Sequence, residues 1–149
     1  MRALLIAVGN PLRGDDGVAE RVLSLIPVAD DLARMSVFNL TPELAQQVAQ
    51  HDLVVIIDAD TSAETVAITP VETEPELAPQ PITSHGLTPD ALVTLARRLY
   101  QFSGAALVCR IPAFEFAAPF RLGRRAASGA ELAAQLISAH LFECAARRR

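Results

Sequence analysis

The sequence predicts an α/β fold: three layers, α/β/α, around a twisted and mostly parallel sheet of about five strands. Three observations predict it. Apolar runs of strand length alternate along the chain with segments whose apolar residues recur at helical spacing. The strand-like runs are continuous rather than alternating, as expected when helices cover both faces of a sheet. The chain has 149 residues, of which 51% are hydrophobic and 20% charged. That composition suits a globular chain able to bury a core.

The elements follow in order. RALLIAV (2–8) is a continuous apolar run and reads as the first strand. GVAERVLSLI (17–26) reads as a helix, with Val18, Val22, Leu25 and Ile26 on one stripe. RMSVFNL (34–40) is the second strand. TPELAQQVAQ (41–50) begins a helix: Thr41 can cap it, Pro42 suits its first position, and Glu43 favours its positive end. DLVVIIDAD (52–60) is the strongest strand, β-branched and apolar, and therefore central. TVAITPV (65–71) is weaker and belongs at an edge, because Pro70 ends it. ETEPELAPQPITSHG (72–86) has no periodicity and reads as a loop. TPDALVTLARRLYQF (88–102) repeats the Thr-Pro-acid helix start, with Leu92, Leu95, Ala96 and Leu99 as its stripe. GAALVCRI (104–111) is another buried strand, PAFEFAAPFRLGRRAAS (112–128) a loop, and GAELAAQLISAHLFECAA (129–146) a closing helix capped by Ser128. No repeat or boundary interrupts the series, so residues 1–149 are expected to form a single domain.

Net charge is −4, which argues against binding nucleic acid through bulk charge. The terminal ARRR complements the end of a helix. Cys109 and Cys144 lie far apart with no CxxC, as in a protein of a reducing compartment. No apolar run approaches the length of a membrane span, and no signal-peptide cleavage region follows the start. A cytoplasmic monomer with neither a nucleic-acid nor a membrane partner is expected.

In open α/β sheets functional residues gather past the carboxyl ends of the strands. Asn10, Asp15 and Asp16 follow the first strand there, Asp58 and Asp60 end the central one, and Glu115 follows the strand at 104–111. His85 precedes a helix. Asn10, Asp16 and Asp58 should therefore share one end of the sheet. GNPLRGDDG lacks both GxGxxG and GxxxxGK[ST], and its paired aspartates would repel a phosphate. There is no GxSxG, and Cys109 sits mid-strand, where it would be buried and inert. HExxH and zinc-finger spacings are absent. Carboxylates and one histidine remain, a donor set that suits zinc, nickel or manganese.

Each candidate also has an ordinary structural role. Asp15 could cap the following helix and Asp16 complement its dipole. Asp60 could cap a turn and His85 a helix. His51 and His140 have no supporting neighbours and read as structural; Arg124 and Arg125 read as solvated surface. Asp58 differs, because burying a lone carboxylate at the end of an apolar strand costs several kcal/mol unless it is paired or bound to a metal.

Together, AVGNPLRGDDGVAERV, LTPELAQQVAQHDLVVIIDAD, PITSHGLTPDALVTLARRLYQ and ALVCRIPAFEF resemble the hydrogenase maturation endopeptidases in order and spacing over residues 1 to about 116. The LTPEL stretch looks more like members that serve soluble, NAD-reducing-type hydrogenases. The resemblance implies a metal-dependent hydrolase that trims the C-terminal extension from the large-subunit precursor of a nickel–iron hydrogenase after nickel insertion. It implies catalytic and metal-contacting roles for Asp16, Asp58 and His85, with the nickel supplied by the substrate. Asn10 and Asp15 belong to the same opening motif, and Asn10 would order its loop. The chain departs from the pattern in three places. Asp16 stands where many members have glutamate, LTPEL replaces a glycine-rich stretch, and APFRLGRRAASGAEL has no clean counterpart. Alternatives from other classes are a chaperone-like domain that binds a metalloprotein precursor without cutting it, and a small nucleotide-binding α/β domain.

Overall fold

The computed structural model describes residues 1–72 and 86–148. Its strands are β1 (Ala3–Val8), β2 (Leu32–Val37), β3 (Leu53–Asp60), β4 (Ala67–Pro70) and β5 (Ala105–Pro112). They pair in the order β2-β1-β3-β5-β4. The β-branched run of β3 takes the central place, where both faces and both edges are covered. β4, ended by Pro70, lies at an edge and is the antiparallel member; the other pairings are parallel. The register sets Val8 opposite both Val37 and Asp58, and Asp58 opposite Arg110. The carboxyl ends of the four parallel strands therefore form one edge.

Helices α1 (Val18–Leu25), α2 (Leu44–Ala49), α3 (Pro89–Tyr100) and α4 (Arg124–Arg147) complete the layers. Successive strand residues point to opposite faces, and the two cores follow that alternation. Leu5, Ala7, Val55 and Ile57 pack under Val18 and Val22 of α1 and Ala130 and Ile137 of α4. Leu4, Ile6, Val54 and Ile56 pack under Val48 of α2 and Leu92 and Ala96 of α3. The chain leaves β1 through α1 to reach β2 on one side, then crosses through α2 to β3 on the other. The crevice at the ends of β1 and β3 is thus the topological switch point, where helices on opposite faces diverge.

Some helix starts differ from expectation. Thr88 caps α3 as predicted, its Oγ1 accepting from the amide of Ala91 at 3.2 Å. Thr41 and Pro42 instead form a turn, with the Leu44 and Ala45 amides bonded to their carbonyls, and α2 begins only at Leu44. α4 starts at Arg124 rather than 129, so Ser128 lies inside the helix and caps nothing. Arg34 ties β2 to the end of α1, its guanidinium donating to the carbonyls of Leu23, Ile26 and Pro27 at 2.6–2.8 Å. It satisfies acceptors that the end of α1 would otherwise leave open. Among the described residues no helix is long and apolar enough to cross a membrane.

Candidate active site

The loop after β1 is built to present one carboxylate. Gly9 has φ +146°, and a Cβ there would strike the main-chain oxygen of Asp16. Only glycine lets the chain fold back this closely. Asn10 then orders the turn, its side chain accepting from the amide of Leu12 at 3.0 Å. The Asn10 amide donates to Oδ2 of Asp16 at 2.7 Å. A kinked 3-10 segment, Pro11–Gly17, leads into α1, whose N-cap is Gly17 with no side-chain cap bond. Asp16 is thus turned back over β1.

Asp58, half-buried at the end of β3, sits at the same sheet end as Asn10 and Asp16. Burial pushes its pKa up to about 6, and the nearby charge of Asp16 pushes in the same direction. The Ala59 amide and Arg110 oppose the rise without cancelling it. Arg110 pairs loosely with Asp60 at 3.9 Å. Asp60 is also engaged by Ser62, whose amide and hydroxyl donate to its Oδ1 at 2.8 and 2.7 Å. These two bonds hold its pKa below the ordinary carboxylate range, so Asp60 caps a turn. The crevice therefore contains two carboxylates, Asp16 and Asp58, and the charge of the first raises the pKa of the second by more than Arg110 lowers it.

His85 lies outside the described residues. Its neighbour Gly86 pairs with Leu40, just beyond the carboxyl end of β2 and at the same sheet edge. Among the described residues no group of three or more His, Cys, Asp or Glu side chains is placed to hold a metal ion. His51 bonds the Gln47 carbonyl at 2.7 Å, which fits the structural role expected of it.

Asp15 does not cap α1. It is fully buried, and its Oδ2 accepts the amides of Phe114 and Glu115, each at 2.8 Å. Its Oδ1 accepts the amide of Gly123 at 2.7 Å, and its own amide donates to the Glu115 carbonyl at 2.7 Å. Gly14, at φ +55°, brings the backbone close enough for this, since a Cβ there would approach the Glu115 carbonyl oxygen to 2.5 Å. Asp15 thus joins the loop that carries Asp16 to the loop before α4. Sequence reasoning missed this role because the partners lie 99 to 108 residues away and leave no local pattern.

Cys109 is fully buried, and burial pushes its thiol up to about 12. Iodoacetamide applied to the native protein at about pH 8 should therefore modify the part-exposed Cys144 and spare Cys109, as peptide mass mapping would read. Labelling of Cys109 at a comparable rate would contradict its burial.

No protein-family model matches the chain, and no curated protein matches it. Solved structures do. The hydrogenase maturating endopeptidase HybD from E. coli superimposes with a TM-score of 0.79 at 22% identity, over 97% of this chain and 94% of that one. The [NiFe] hydrogenase maturation protease HycI from Thermococcus kodakarensis KOD1 does so with a TM-score of 0.67 at 23% identity, over 91% and 89%. The chain shares the fold of hydrogenase maturation proteases. A further neighbour, from Wolinella succinogenes, is described only as an uncharacterised protein and has a TM-score of 0.62 at 19% identity, with full coverage of both chains.

Proposed function

We propose that the chain is an endopeptidase that removes the C-terminal extension of a nickel-loaded large-subunit precursor of a nickel–iron hydrogenase. The observation that carries the reading is the pair Asp16 and Asp58, two carboxyl groups in electrostatic contact at the switch point of a fold shared with proteins named for that activity. His85 is assigned to the same set as the nitrogen ligand that the resemblance implies.

The nickel belongs to the substrate. A divalent ion between the carboxylates relieves both the repulsion and the burial penalty on Asp58, so a loaded precursor is favoured over an empty one. The ion, once bound, would polarise the scissile carbonyl. Asn10 holds Asp16 in place through its amide, and Gly9 allows the approach. Asp58, with a pKa of about 6, is mostly ionised at neutral pH and is then free to take part as ligand or base. Cys109 is unsuited to act as a nucleophile, because its buried thiol stays protonated. Two free cysteines suit work in the cytoplasm.

The test is mass spectrometry of the precursor, with and without nickel, before and after incubation with the protein. Release of a short C-terminal peptide from the loaded form alone is expected. Asp16→Ala and His85→Ala should each abolish release, since a three-ligand site loses its geometry with any ligand. Cys109→Ala and Ser84→Ala should release peptide as the parent does. Equal cutting of both precursors would overturn the reading, and tight binding of the loaded form without cutting would make the protein a precursor-binding chaperone instead.

A further inference from the structure

Beside the candidate site runs an apolar cleft of about 340 Å³, lined by Gly9, Asn10, Leu12, Val37, Phe38 and Phe120 among others. Three of its large apolar side chains are strongly exposed: Leu12 at 54%, Phe38 at 67% and Phe120 at 75%. They come from three separate segments, the loop after β1, the end of β2 and the loop before α4. Single exposed apolar residues are ordinary, but three converging on one cleft mark a binding surface.

Phe120 is held there by the fold. Its φ is +58°, a left-handed conformation that residues with a side chain rarely adopt. Its amide donates to the Pro11 carbonyl at 2.8 Å, and three residues later Gly123 is tied to Asp15. The conformation thus persists because two loops over-determine it, a pattern that gathers at functional sites.

We infer that this cleft seats an extended segment of the substrate polypeptide flanking the scissile bond, with a large apolar side chain between Phe38 and Phe120. The inference rests on the proposed peptidase reading and adds to it the determinants of sequence preference. The cleft is continuous with the site, because Gly9 and Asn10, which position Asp16, also form its wall. A polypeptide with its metal-bearing part at Asp16 and Asp58 must lay adjoining residues here. Among the described strands β2 lies at the edge of the sheet, and its residues Ser36 and Val37 line the cleft, so an extended segment would run along the sheet edge beside the apolar pocket. Among the described residues the one charged side chain in the lining is Glu20, which disfavours a phosphate or other anion as occupant.

Steady-state cleavage of the nickel-loaded precursor tests the assignment, with folding of each variant checked by near-UV circular dichroism and thermal melting. Phe38→Ser and Phe120→Asn should each raise KM about tenfold or more with kcat within about twofold of the parent, since each removes an apolar contact made equally in ground and transition states. Asparagine tolerates the left-handed backbone, so Phe120→Asn leaves the loop in place. Phe142→Ser, an equally exposed phenylalanine lining a separate cleft with Met1 and Asp31, should leave both constants unchanged. Serine replacements along the precursor should include one apolar position at which the KM difference between parent and Phe120→Asn collapses. Normal cleavage by the parent with KM unchanged in both cleft variants would overturn the cleft and leave the peptidase reading standing. No cleavage by the parent would overturn that reading and the cleft with it.

Discussion

Replacing Asp58 with asparagine is expected to abolish peptide release and, in the metal-free protein, to raise stability. The ordinary aspartate pKa of 3.8 rises to about 6 in the fold, from burial first and the Asp16 charge second. Between those two values the folded chain binds more protons than the unfolded one, so stability falls as pH rises through that window. Above it the ionised carboxylate destabilises the fold in full, by about 3 kcal/mol at roughly 1.4 kcal/mol per pKa unit. Asparagine has the same shape, can still accept from the Ala59 amide, and never ionises. Its benefit should be present at about pH 8 and vanish by about pH 4, where the parent carboxyl is itself protonated. Urea denaturation of the metal-free proteins at both pH values would measure this. A gain of about 3 kcal/mol corresponds to roughly 6–12 °C in Tm for a chain of this size. A variant no more stable than the parent at the higher pH would contradict the burial and repulsion at Asp58, and a fully active variant would remove Asp58 from the site. Raised stability with lost activity is the signature of a group kept under strain for its function.

The elements legible in the sequence were those whose own residues determine them. RALLIAV and DLVVIIDAD read as buried strands because continuous apolar runs have one good solution in a sheet covered on both sides, and both lie within a residue of where they were expected. Pro70 placed β4 at the edge because proline cannot donate to a ladder. That Asp16 and Asp58 share one end of the sheet was legible too, since both lie at the carboxyl ends of strands in a sheet expected to be mostly parallel. What escaped was set by distant partners. Ser-Gly at 128–129 looked like a helix boundary, yet α4 begins at Arg124, where the Gly123 amide is claimed by Asp15. Thr41-Pro42-Glu43 matches a helix start as well as Thr88-Pro89-Asp90 does, and the former makes a turn instead. Arg34 looked like an unremarkable strand residue, but its role is fixed by carbonyls on another element. The shape of the cleft around Phe120 depends on a loop, 113–123, for which no local pattern exists.

Asp15→Ala is expected to destabilise the protein by about 4 kcal/mol or more, several times the ~1 kcal/mol that loss of an ordinary helix cap would produce. The difference follows from where the carboxyl points. Its two oxygens accept three main-chain amides, those of Phe114, Glu115 and Gly123, at 2.7–2.8 Å, and the residue is fully buried. Alanine leaves all three donors without an acceptor in a place water reaches poorly, and each such loss costs about 1–3 kcal/mol. Against a total of about 5–15 kcal/mol for a typical domain, this removes a large share. Asp15→Asn should be milder, at about 1–3 kcal/mol, because its oxygen can still serve Phe114 and Glu115 while its NH₂ group faces the Gly123 amide, donor against donor. Two measurements separate this account from simple helix capping. Denaturant titration gives the size and order of the losses. Amide hydrogen exchange gives their place: Phe114, Glu115 and Gly123 should be protected in the parent and exchange fast in Asp15→Ala, ahead of the amides of α1. Faster exchange confined to the first turn of α1, with a loss near 1 kcal/mol, would return Asp15 to the role of a cap. Loosening at Gly123 should also free the loop that carries Phe120, so Asp15 supports both the carboxylate beside it in sequence and the apolar wall across the cleft.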